Sequence, residues 1–122
     1  MKAVATLTSS ESRRFIAKAV VQMSEVRQAW ESAYLLLSDG TTNAFIAQEL
    51  LHDESIQPWA CTIGLSTNGV LCVNTPKNRA SHANVFYQGA PMPGKTFAEA
   101  LADYHPETVV LKGANAIDPE GL

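Results

Sequence analysis

The chain has 122 residues, nine Lys and Arg against twelve Asp and Glu, a net charge of −3 and 46% apolar residues. That balance excludes a disordered tail, and without a basic block nothing displaces counterions from a phosphate backbone, so neither DNA nor RNA is expected as a partner. No run reaches the roughly 18 apolar residues that a membrane span needs, and MKAVATLTSSESRR has no apolar core followed by a cleavage site. The expectation is a cytoplasmic protein with no membrane partner.

From Thr8, TSSESRRFIAKAVVQM predicts an amphipathic helix with Ser9 or Ser10 as cap and Glu11 in its first turn. Phe15, Ile16, Ala19, Val20 and Met23 recur at three and four to form its inward face, and Arg13, Arg14 and Lys18 form a solvated one. SEVRQAWES, opening on Ser24, predicts a second short helix with Val26, Ala29 and Trp30 on one side. Ala33 to Leu37 is a continuous apolar run closed by a polar residue and a glycine, the pattern of a strand buried on both faces in a parallel sheet. TTNAFIAQELL then returns to helical spacing through Phe45, Ile46, Glu49 and Leu50, so strand, small polar turn and helix follow one another over 33–51.

HDESIQPW reads as a loop, and CTIGLS and VLCVN as two strands joined through Thr67, Asn68 and Gly69, a β-hairpin near residues 60–74 signalled by Asn-Gly. Cys61 and Cys72 lie in these apolar stretches and are expected to be buried thiols, not a disulfide or a zinc site. NTPKNRASHAN is expected to be an exposed loop, NVFYQGA a strand broken by PMPG, Lys95 to Tyr104 a helix burying Phe97, Leu101 and Tyr104, and Thr108 to Leu111 a last strand. The alternation predicts a single α/β domain over 1–122. Its sheet is expected to be mostly parallel with helices on both faces, a Rossmann-like three-layer arrangement in which the hairpin is a local antiparallel excursion.

In an open parallel sheet a ligand sits at the carboxyl ends of the strands, and two turns qualify. In Ser38-Asp39-Gly40-Thr41-Thr42-Asn43 the glycine permits a tight bend, and the first amides of the next helix with two hydroxyls suit an anion such as phosphate. The other reading of this turn is that Thr41 or Thr42 merely caps the helix. It is not a P-loop, lacking GK[ST], nor a GxGxxG dinucleotide turn. In the second turn, from Lys112 to Gly121, Lys112 can neutralise a phosphate while Asn115 and Asp118 can hydrogen-bond sugar hydroxyls or orient a reacting group. Asp118-Pro119-Glu120-Gly121 is a β-turn in either case. His52, His82 and His105 are scattered with no carboxylate or cysteine at ligand spacing, so no metal or cofactor is implied.

LLLSDGTTNAFIAQEL and KGANAIDPEG, in that order, resemble the superfamily that includes type A ribose-5-phosphate isomerase, glucosamine-6-phosphate deaminase, coenzyme A transferases and the sugar-sensing domains of some repressors. The second turn is also similar to that of methylthioribose-1-phosphate isomerase and of translation initiation factor 2B subunits. The resemblance covers only these two turns and their flanks. It implies a sugar phosphate or nucleotide-like ligand on Gly40, Thr41, Thr42 and Asn43, with Lys112, Gly113 and Asn115 completing the site, and an isomerase- or transferase-like activity. It further implies that 1–122 is the front part of a larger domain, its sheet edge covered by a partner or by another copy, hence a homo-oligomer. Asn115 and Ala116 stand where the isomerases carry carboxylates, and an amide cannot take a proton from a sugar carbon. Catalysis would then fall to Asp118 as general base and Lys112 as stabiliser of an oxyanion. The alternatives are a non-catalytic ligand-sensing or regulatory subunit of the same fold, and a structural interaction protein with no small-molecule site.

Overall fold

A computed structural model describes residues 2–103, 105–114 and 118–120, with the backbone alone of 65–67. The first helix, α1 (Ser9–Val20), begins at Thr8 and not at either serine: the Thr8 hydroxyl accepts from the Glu11 N–H while the Glu11 carboxylate takes the Thr8 N–H. Phe15, Ile16, Ala19 and Met23 are exposed, Phe15 to 67%, and the docked face is instead centred on Ala17 and Val20. The reason is Arg14. Its guanidinium lies 4.9 Å from the centre of the Phe45 ring and bonds Glu49 at 3.1 Å and Gln48 at 3.0 Å, all on α3 (Thr41–Leu51). An arginine stem thus covers apolar surface that hydropathy alone assigns to Phe15 and Ile16. The second helix, α2 (Ser24–Ser32), buries Val26 and Ala29 as expected and sets Trp30 against Phe86, ring centres 5.4 Å apart.

Four strands form the main sheet in the order β5-β4-β1-β6: β1 (Tyr34–Leu37), fully buried, β4 (Val85–Tyr87), β5 (Ala90–Pro91) and β6 (Val109–Leu111). β1 is parallel to β6 alone. It runs antiparallel to β4, which is antiparallel to β5. The sheet is therefore mixed and mostly antiparallel, and the mostly parallel, Rossmann-like sheet expected from the alternation does not form. A parallel neighbour needs a crossover that returns the chain to the starting end. After α3 the chain climbs back to the carboxyl end of β1 at Thr62 to Gly64, and Asn84, beside Leu37 and Asp39, launches β4 downward from that end. Only the helix before β6, α4 (Phe97–Ala102), stands in a crossover that delivers a parallel strand.

One face of the sheet, with Leu35, Leu37 and Phe86, packs against α1, α2 and α3. The other, with Tyr34, Leu36 and Val85, packs against Ala100 and Phe97 of α4. Leu101 is exposed, Ala100 taking the inward place expected for it, and Tyr104 lies outside the described residues. β2 (Gly64–Thr67) and β3 (Val70–Val73) make the expected hairpin as a separate two-stranded sheet, turning at Asn68 and Gly69 with positive φ at both. Cys61 is buried in a 3-10 turn (Pro58–Cys61), but Cys72 is exposed with the rest of β3. The expected open loop over 74–84 is partly wrong as well, since His82 is buried and Arg79 reaches back to Asp39. Among the described residues no helix is long and apolar enough to cross a membrane.

Candidate functional site

Because β1 and β6 are parallel neighbours, their carboxyl ends emerge side by side, and the turns that follow them meet. Gly40, Thr41, Thr42 and Asn43 from one turn and Lys112 and Gly113 from the other line a single cleft of about 240 Å³, to which Thr62 and Arg13 also contribute. The two turns are stitched together from within. The Asn43 side-chain amide donates to the Ser38 carbonyl at 2.8 Å, the Ser38 hydroxyl at 2.9 Å and the Leu111 carbonyl at 3.0 Å, and the Ser38 N–H also donates to Leu111. Asn43 is 5% exposed, and its side-chain amide is committed to the protein's own acceptors.

Gly40 carries φ 135° and ψ 159°, a conformation that side chains resist, and it precedes α3 without any side chain capping that helix. The Thr41 hydroxyl is 3.0 Å from the Thr62 hydroxyl, so it does not serve as the cap either. Among the described residues the first N–H groups of α3 therefore meet no side-chain acceptor, and the positive end of an 11-residue helix borders the cleft. Arg13, on the helix face expected to be solvated, lines this cleft and makes no hydrogen bond or ion pair among the described residues. Lys112 lines it too, its ammonium donating to the Gly113 carbonyl at 3.2 Å.

The carboxylate in this cleft is Asp39. Arg79 holds one of its oxygens at 2.6 Å, and the Asn84 amide holds the other at 2.9 Å. Asp118 is exposed and does not line the cleft, and Asn115 lies outside the described residues. Burial pushes the Cys61 thiol up, the Asp39 charge adding to the effect and Arg79 opposing it. No group of three or more His, Cys, Asp and Glu able to hold a metal occurs among the described residues. Arg13 and Thr62 were not legible as site residues, because each reaches the cleft through tertiary contacts that no local spacing encodes.

A second, larger cleft of about 620 Å³ adjoins the first and shares Ser38, Asp39 and Lys112 with it, extending over Phe97 and Val110 with a mostly apolar wall. Beside it Lys95 donates to the Tyr34 hydroxyl at 2.7 Å and pairs with Asp103. Hydrogen bonds to Asp103 and then Tyr34 raise the Lys95 ammonium above its ordinary range, and the same contacts hold the Asp103 carboxyl below its own.

No protein-family model matches the chain, and no curated protein or solved structure matches it. The cleft brings together a helix start without a cap from its own N-cap residue, a bend that glycine accommodates easily, an arginine and a lysine, and a carboxylate paired with Arg79.

Proposed function

We propose that this chain binds a small phosphorylated metabolite, a sugar phosphate or nucleotide-like molecule, between the Gly40–Asn43 and Lys112–Gly113 turns. The observation that carries the reading is convergence: two turns distant in sequence, each suited to an anion on its own residues, line one cleft together with Arg13 and the start of α3. The phosphate would take N–H groups at Thr41 and Thr42, with Arg13 supplying charge-assisted hydrogen bonds. The likeness of both turns to the isomerase, deaminase and coenzyme A transferase superfamily supports the same ligand class.

A non-catalytic sensing or regulatory subunit is favoured over an isomerase- or transferase-like enzyme by the state of Asp39. Asp39, the carboxylate that lines the cleft, is held by Arg79 on one oxygen and by Asn84 on the other, which gives it a structural task in the cleft wall. The enzymatic reading depends on Asp118, with Lys112 stabilising an oxyanion. We place the protein in the reducing cytoplasm, in keeping with two free cysteines of which Cys72 is exposed. We also read it as self-associating, through apolar side chains exposed on α1 and β3.

Calorimetric titration with ribose 5-phosphate and inorganic phosphate tests the binding reading. Saturable binding is expected, weakened at least about tenfold in Arg13→Gln, as loss of a charge-assisted hydrogen bond implies, and weakened less in Thr41→Val. A wild type that binds neither probe, or an Arg13→Gln variant that binds both unchanged, overturns it. Turnover of a bound phosphosugar would return the enzymatic reading to first place.

A further inference from the structure

Resting on that anion-binding reading, we infer that the ligand is amphipathic: a phosphate in the small polar cleft joined to an apolar group that lies over Phe97 and Val110 in the larger one. The two clefts are neighbours with Ser38, Asp39 and Lys112 lining both, so a molecule anchored by phosphate at the start of α3 has the second within reach. What that second space offers decides the chemistry. Its polar side chains are already engaged within the protein. Asn84 donates to the Leu37 carbonyl and to Asp39, Lys95 to Tyr34 and Asp103, and the Thr96 hydroxyl to Glu99.

A sugar ring placed there would set several hydroxyls against a mostly apolar wall, and hydroxyls that lose water without gaining a partner are costly to bury. An apolar group meets no such penalty. Val110 is 49% exposed on the open edge strand β6, and Phe97 is only partly covered by its own core, so both present apolar surface for a ligand to cover. The cleft volumes agree with this division, the polar one being about 240 Å³ and the apolar one about 620 Å³. A phosphosugar would occupy the first and leave the second to water.

Competitive calorimetry on the whole chain with four probes tests this: inorganic phosphate, ribose 5-phosphate, phenyl phosphate and hexyl phosphate. Phenyl or hexyl phosphate, or both, should bind at least about tenfold tighter than inorganic phosphate and than ribose 5-phosphate, the gain expected from covering a few carbon atoms. A preference for phenyl identifies a flat aromatic group such as a nucleobase, and a preference for hexyl identifies an aliphatic chain. Val110→Trp, which fills the larger cleft, should abolish the advantage while leaving inorganic phosphate affinity within about twofold. Val110→Thr keeps the shape and reduces the advantage by inserting a hydroxyl, so the test survives if the tryptophan variant does not fold. Equal affinities for all four probes, or tightest binding of ribose 5-phosphate, overturns the inference and leaves the anion site standing. Failure of all four to bind overturns both.

Discussion

Asn43 is the residue on which the geometry of the cleft turns, because one side-chain amide serves acceptors at the end of β1 and, 68 positions away, at the end of β6. Asn43→Ala removes those bonds. Asn43→Asp is worse, since it sets a carboxylate oxygen against the Ser38 and Leu111 carbonyl oxygens in a site only 5% exposed. Urea denaturation should show a loss of about 1–3 kcal/mol for the alanine variant and a clearly larger one for aspartate; equal midpoints would contradict the stitching role. Gly40 makes a separate prediction. A Cβ built there meets nothing within 4 Å, so Gly40→Ala is opposed by its φ of 135° alone and should cost about 1–3 kcal/mol, measured the same way. The glycine was legible, as the one glycine between an apolar run and a helical pattern. The work of Asn43 was not, because an amide one turn into a helix looks the same whether it caps, faces solvent or reaches across the sheet.

At the scale of elements, two helices start with the same device, Thr8 with Glu11 and Thr96 with Glu99, and in each the hydrogen bonds from threonine hold the glutamate below the ordinary 4.5. A carboxylate lowered in the folded state contributes stability that is present above its unfolded pKa and is lost as pH falls through the folded one. Asp103, lowered from 3.8 by Lys95 and Tyr34, acts in the same direction. Lys95, raised from 10.5, withdraws its contribution only at strongly alkaline pH. The melting temperature should therefore be nearly level above about pH 5 and fall progressively below about pH 4, with a shallower fall in a Thr8→Ala, Thr96→Ala double variant followed by circular dichroism. Identical acid profiles for the two proteins would sink this account. Helices and hairpin were well marked by caps, spacing and the Asn-Gly turn. What the local pattern could not convey was which way a helix faces and which way a strand runs. Phe15 and Ile16 are the most apolar residues of α1 yet lie outside because Arg14 packs on Phe45, and VFY reads alike in either direction, its sense being set by where Thr62 to Gly64 return.

Over the whole molecule, the β2–β3 hairpin stands apart from the main sheet with Val70, Leu71 and Val73 exposed to 59%, 72% and 65%. An isolated two-stranded sheet is marginal in water, and an open apolar edge invites another strand. If it is the surface of self-association, a Leu71→Lys, Val73→Lys double variant should lower the mass measured by light scattering and leave the far-ultraviolet circular dichroism of the main sheet in place; an unchanged mass would clear the hairpin of that role. The parallel pairing of β1 with β6 has a consequence of another kind. Leu35 faces Val109 across 74 positions of chain, the longest closure in the main sheet, whereas the β4–β5 pair is local. Contacts of such separation are the slowest to form, because the entropy of the intervening chain is lost before any strand pairing compensates for it. The cleft between the two turns lies at that seam. Anything bound across it would bridge the two strand ends that the chain has farthest to bring together.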